Sequence, residues 1–397
     1  MLGLGGVAIT SKISAPGNSF PRKSDFTIPS GLTYLNSAYT HPMPSAARAA
    51  MDQYALRRSR PGDIDAPGNG AMVRQVKEEF ARLINASPSE ISFIPNTSTG
   101  ENLVVNGLGI AESGGNVVTD ALHFEGSLIN LKTLQRERGL DLRVAMPREG
   151  RIHIEDLERL VDRKTRLIEI SLVAMYNGFQ HDLKTICDMA HSAGAYVYAD
   201  IVQAAGATPI DVRATGVDFC ACSSFKWLMG DFGAGFLYAK EELLPRLRRS
   251  QRGYHSVTSM ATHFLPFDTP GDDIYTWEFG KDASSHFEVG SYSYAPMAAL
   301  SVSLPYLRKL GVDKIEAHRQ PLLARLRSEM PRLGFEPITP LGTKSALITF
   351  LVKERQAVYE KLKRANINVR LGDHFLRVSP SVFNDMNDVD KLLAALS

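Results

Sequence analysis

The segment Ser223-Ser-Phe-Lys-Trp-Leu-Met-Gly-Asp-Phe-Gly-Ala-Gly235 sets one lysine, Lys226, between Phe225 and Trp227. An apolar run, Phe219–Cys222, precedes it. A lysine ammonium normally stays in water. Held at the edge of a core strand it loses hydration, and its pKa falls from about 10.4 toward neutrality. The free amine is then a nucleophile for carbonyl carbons. Other polar side chains also stand just past apolar runs. Asp200 ends Ala195–Ala199, with Gln203 three residues on. Asn96-Thr-Ser-Thr99 follows Ile91–Pro95. His123 lies beyond Asn116–Thr119, and Asn177 beyond Leu167–Val173. Each has an ordinary structural reading. Asp200 could cap a helix, Ser98 and Glu101 have capping-box spacing, and His123 and Asn177 could be a satisfied polar residue and a turn.

Their convergence points to one ligand. An amine, a carboxylate, a flanking histidine and a hydroxyl-ringed helix start able to hold phosphate would lie together. Pyridoxal phosphate needs that set: a lysine for its aldehyde, donors for its phosphate and an acid for its ring nitrogen.

The elements that must position these residues alternate between strand and helix. Asn116–Thr119, Leu142–Ala145, Leu167–Val173, Ala195–Ala199, Phe219–Cys222 and Gly235–Tyr238 read as strands, several of them apolar throughout. Helices over 100–111, 127–139, 154–163 and 183–193 separate most of them. This is an α/β pattern with a large, mostly parallel sheet, whose ligands sit at the carboxyl ends of strands. Residues 1–30 read as an N-terminal arm, 31–290 as the large domain and 291–397 as a smaller α+β domain.

The chain has 397 residues, 44% hydrophobic and 22% charged, with a net charge of +2. That balance gives no reason to expect a nucleic-acid or membrane partner. Three cysteines, Cys187, Cys220 and Cys222, form neither a disulfide framework nor the paired spacing of a zinc site. No metal is expected, and a reducing cytoplasm suits the composition. No run reaches the roughly 18 apolar residues of a spanning helix. The N-terminal MLGLGGVAIT lacks a basic region and a small-residue cleavage site, so a truncated export signal is only the alternative. Its Gly3, Gly5 and Ala8 match a dinucleotide fingerprint in form, but no strand precedes them, and a Rossmann dehydrogenase is set aside.

Three motifs follow in order: Asp200-Ile-Val-Gln203, Ser223-Ser-Phe-Lys226 and Gly230-Asp-Phe-Gly-Ala-Gly235. With them the chain, from about Leu32 onward, resembles the class V aminotransferase family. That family includes cysteine desulfurases, selenocysteine lyases and isopenicillin N epimerase-like enzymes. The resemblance implies the type I fold of pyridoxal-phosphate-dependent transferases. Lys226 would form the Schiff base (internal aldimine) and move the proton at the substrate's α-carbon. Asp200 would keep the pyridine nitrogen protonated. Gln203 and Asn177 would bond the ring's 3-hydroxyl, and His123 would stack on the ring. Ser98, Thr99 and Ser223 would hold the phosphate. Glu288-Val-Gly290-Ser291 resembles a turn that lends a hydroxyl to the neighbouring subunit's phosphate, which implies a homodimer. Phe375-Leu-Arg377-Val-Ser379 resembles the arginine motif for the α-carboxylate, and Tyr39 and His41 would line the substrate pocket.

Two departures bear on the reaction. Phe225 stands where many desulfurases have histidine. No cysteine lies between Gly342 and Arg377, where family desulfurases carry the catalytic thiol. A persulfide-forming cysteine desulfurase is therefore not expected. The expected activity is pyridoxal-phosphate chemistry at the α or β carbon of an amino acid, of carbon–sulfur lyase or epimerase type. A class V aminotransferase and a non-catalytic use of the fold are the alternatives.

Overall fold

A computed structural model describes residues 19–60, 69–112, 114–263 and 269–397. The N-terminal glycine motif and the export-signal alternative fall outside them. In chain order the strands are β1 (Thr33–Tyr34), β2 (Ile91–Ile94), β3 (Asn116–Asp120), β4 (Asp141–Ala145), β5 (Thr165–Ser171), β6 (Tyr196–Asp200), β7 (Phe219–Ser223), β8 (Gly235–Ala239), β9 (Val257–Thr262), β10 (Tyr275–Phe279), β11 (Ile348–Leu351), β12 (Ile367–Asn368), β13 (Arg370–Leu371) and β14 (Phe375–Val378). The helices are α1 (Ser45–Arg58), α2 (Asn69–Leu83), α3 (Thr97–Gly107), α4 (Glu125–Arg138), α5 (Ile154–Glu158), α6 (Leu183–Ala193), α7 (Val212–Thr215), α8 (Ala283–Phe287), α9 (Tyr294–Leu310), α10 (Val312–Glu329), α11 (Arg355–Arg364) and α12 (Met386–Leu396).

The large sheet runs β2-β8-β7-β6-β5-β3-β4. Its five strands from β7 to β4 are parallel; β8 alone runs the other way in this sheet, antiparallel to both its neighbours, β7 and β2. β2, β3, β7 and β8 are buried at every position, as strands covered on both faces must be. The molecule is therefore an α/β protein with a mostly parallel sheet. Helix α3 lies close on that sheet because residue 100 is glycine. A Cβ there would come within 2.8 Å of the Ile94 side chain and 2.9 Å of the Ala221 Cβ. α4 and α6 end at Gly139 and Gly194, both left-handed, as the glycine stop signals predict.

A second core gathers Leu322, Leu326, Phe350, Leu376, Val378 and Leu392 around the antiparallel sheet β11-β14-β13. α9, just past the boundary expected at residue 290, packs on α1 and α2, and Arg308 bonds Glu79 at 2.7 Å. The chain before α1 is a strap. β1 pairs with β12, Ser379 N–H donates to Leu35 O, and His41 N–H donates to Phe225 O. One short segment thus joins the strand that carries Arg377 to the loop that carries Lys226. No helix among the described residues is long and apolar enough to cross a membrane.

Candidate active site

The carboxyl ends of β5, β6 and β7 and the start of α3 surround a cavity of about 190 Å³. Lys226 enters it from the turn after β7. Its Nζ lies 5.7 Å from the centre of the Phe225 ring, which stacks on Phe232 at 4.2 Å. Trp227 is buried, and its Nε1 donates to Gln203 Oε1 at 2.9 Å. Burial pushes the Lys226 amine down to about 8; Arg377 adds to that and Asp200 opposes it. About a tenth is therefore the free amine at pH 7, against less than about a thousandth for an ordinary lysine.

Asp200 closes β6 at the same cavity, 3% exposed. Its Oδ1 accepts from Val202 N–H at 2.8 Å, and burial raises its carboxyl. Its other oxygen has no hydrogen-bond partner among the described residues. Gln203 lines the cavity and is partly committed: Oε1 accepts from Trp227, and Nε2 donates to Ala38 O at 3.0 Å.

The α3 start supplies the anion end. Asn96 caps the helix by accepting from Thr99 N–H. Ser98 and Ser223 line the cavity, and so does Thr97, which the sequence reading passed over. Thr97 N–H donates to Ser223 Oγ at 3.0 Å. Thr99 is placed elsewhere. Its hydroxyl donates to Asn96 Oδ1, and it lines a separate cavity with Ser291. The expected Ser98–Glu101 capping box does not form. Glu101 is buried, accepting from Ser127 Oγ and from Asn130 Nδ2.

His123 is fully buried behind the cavity, and the aromatic side chain facing it at the end of β3 is Phe124. His123 Nδ1 meets Ser171 Oγ at 2.8 Å; its Nε2 lies 3.7 Å from Glu169 Oε1. Burial keeps this imidazole below its ordinary pKa. Glu169 and Glu101 are both pushed up to about 8, by burial first, and for Glu101 also by Glu169. Two buried carboxyls this close cannot both ionise cheaply. Their oxygens and His123 Nε2 lie within 4.8 Å of one another, where a proton or a cation would balance the charge.

Asn177 is not in the cavity. Its amide donates to Gly150 O at 2.7 Å and accepts from Phe179 N–H, fixing the turn before Gly178. Met175 faces the cavity instead. Arg377, 6% exposed, donates from Nη1 to Met175 O at 2.7 Å, and its buried Nε has no partner. Burial first and Arg370 second lower its guanidinium to about 10. Tyr39 is 53% exposed, with the Arg370 guanidinium over its ring at 5.1 Å. His41 belongs to the core. It bonds Ser381 Oγ at 2.5 Å and Pro42 O at 2.7 Å, and burial lowers it to about 4. Ser291 meets Tyr254 Oη at 2.9 Å, apart from this chain's own Lys226 cavity.

These residues fit pyridoxal phosphate. Lys226 can take its aldehyde, the free Asp200 oxygen its ring nitrogen, and Thr97, Ser98, Ser223 and the α3 N–H groups its phosphate.

The model of the family described as Aminotransferase class-V matches residues 33–392. A probable cysteine desulfurase of Methanothermobacter thermautotrophicus is 30% identical over 308 residues, 74% of this chain and 71% of the relative. A cysteine desulfurase of Cronobacter sakazakii is 28% identical over 389 residues, 92% of each chain. The solved apo structure of the Thermococcus onnurineus cysteine desulfurase shares the fold. Its TM-score is 0.82 at 22% identity, covering 95% of this chain and 97% of that one. These relatives correct one expectation. The missing cysteine before Arg377 argues against a persulfide-forming desulfurase, yet relatives that match most of this chain are named cysteine desulfurases. A thiol missing at one position leaves the sulfur acceptor open, so that expectation does not stand. The match over nearly the whole chain, and a cavity built for the cofactor, show that this protein belongs to the class V aminotransferase family of pyridoxal-phosphate enzymes.

Proposed function

We propose that the protein cleaves the carbon–sulfur bond of a cysteine-type amino acid. The observation that carries this reading is the near-neutral Lys226 amine in one cavity with Asp200, with Arg377 bonded to the Met175 that lines it. The names of the relatives supply the carbon–sulfur chemistry.

When bound, pyridoxal phosphate supplies an aldehyde for the amine and a ring that accepts the electron pair left at the α-carbon. The chain does the rest. Thr97, Ser98 and Ser223 hold the phosphate. Asp200 holds a proton at the ring nitrogen. Arg377 holds the α-carboxylate with the donors that Met175 leaves free. Lys226 moves the proton at the α-carbon. Phe225, Val173 and Val202 keep water away. Ser291, exposed beside Tyr254, is read as reaching the phosphate of a second copy in a homodimer. Three buried, unpaired cysteines suit the cytoplasm.

The test is product analysis on L-cysteine and S-substituted L-cysteines. Elimination from an S-substituted cysteine takes up one water and gives the thiol, pyruvate and ammonium. Transfer of sulfur from cysteine to an added thiol gives alanine and a persulfide. Either product set, absent with Lys226→Ala, supports the reading. Loss of α-hydrogen with the amino acid returned intact, or a keto acid that keeps its sulfur, contradicts it.

A further inference from the structure

Arg370 and Arg377 stand directly opposite each other across the β13–β14 ladder. Opposed residues share one face of a sheet, and like charges there repel. Among the described residues neither guanidinium has a carboxylate within ion-pair distance. The two stand beside different spaces, whose lining residues do not overlap. Arg377 sits beside Met175 at the Lys226 cavity. Arg370 lies over the Tyr39 ring and lines a separate groove of about 340 Å³ with Arg355, Lys363 and Tyr359. That groove contains three cations and no carboxylate in its lining. Arg355 is paired outward, with the exposed Asp373 at 3.4 Å. One α-carboxylate answers Arg377 and leaves Arg370 unanswered.

We infer that the substrate carries a second carboxylate beyond its sulfur, and that Arg370 receives it in this groove against Tyr39. The preferred substrate is then a cysteine S-conjugate whose sulfur substituent ends in an acid. The conjugate rests on the lyase reading; the two-carboxylate site does not. Arg370 sets specificity by attraction, and its planar fork suits a carboxylate better than a point charge would.

Binding is measured first, without turnover. Calorimetry on the holoenzyme compares glutarate, adipate and pimelate with the monoacids of equal length. At least one diacid should bind tenfold or more tightly than its monoacid. Arg370→Gln should bring the two within about twofold, and Arg370→Lys should keep part of the preference. Equal binding of diacids and monoacids by the parent overturns the inference, and so does a preference that survives in Arg370→Gln. Because Arg370 is exposed, its variants should fold, and an unchanged visible cofactor band checks this. Turnover is measured second. S-(2-carboxyethyl)-L-cysteine should exceed its amide isostere, S-(2-carbamoylethyl)-L-cysteine, tenfold in kcat/KM. Diacid preference with neither conjugate cleaved would sink the lyase reading and leave the site standing. Cleavage of both at equal rates would sink the site and leave the lyase.

Discussion

Lys226 owes its chemistry to position. Burial removes more favourable hydration than Asp200 restores, so the amine titrates near 8. Capture of pyridoxal phosphate by the apo protein should therefore slow about tenfold per pH unit below that value and level off above it. A stopped-flow pH series measures this; a rate flat from pH 6 to 9 would remove the argument. Glu169 shows the opposite electrostatics. Its folded pKa lies near 8, above the ordinary 4.5. A raised carboxyl contributes stability that is present below about 4.5 and lost as pH rises through about 8. Glu169→Gln removes that loss. Its melting temperature relative to the parent should rise between pH 5 and pH 9, by a few degrees for each roughly 1 kcal/mol. A pH-independent difference would mean that Glu169 ionises freely in the fold. At this scale the sequence was legible where a polar residue ends an apolar strand, as with Asp200, Ser223 and Lys226. It misled in the Met175–Gly178 turn. There the polar Asn177 looked like the ligand, but its amide is consumed by the turn itself.

Elements decide which of these side chains meet. The α3 start can reach the cavity only while α3 lies close on the sheet, and Gly100 sets that distance. Gly100→Val should push α3 outward and weaken cofactor binding at least tenfold, measured by titrating the apo protein. Unchanged affinity would show that the α3 hydroxyls do not hold the phosphate. Trp227 anchors the Lys226 turn by burial and by its bond to Gln203. Trp227→Ala should cost about 3–5 kcal/mol by urea denaturation. Trp227→Phe should cost less and shift the cofactor band. The buried strands were readable because their central positions are mostly apolar, as in β6, β7 and β8. α1 was not, because it buries only Ala47 and shows no stripe. β9 and β10 were missed because neither is buried, so no alternation marks a core face. β13 is two residues long, too short for any period, yet it carries Arg370.

At the scale of the whole molecule, the strap from Thr33 to His41 fixes how far Arg377 stands from Lys226. Ala38 touches both sides: its N–H donates to Ser379 Oγ, and its carbonyl accepts from Gln203. Reach across this gap would then select substrate length, which the sequence could not show because the partners lie over 160 residues apart. The central claim is that Lys226, in the cavity with Asp200, carries the cofactor. Borohydride reduction of the holoenzyme followed by peptide mapping tests it most directly. A pyridoxyl group on the peptide containing Lys226, absent from Lys226→Ala, is the predicted result. A pyridoxyl group on any other lysine, or none on a protein saturated with pyridoxal phosphate, would contradict the account.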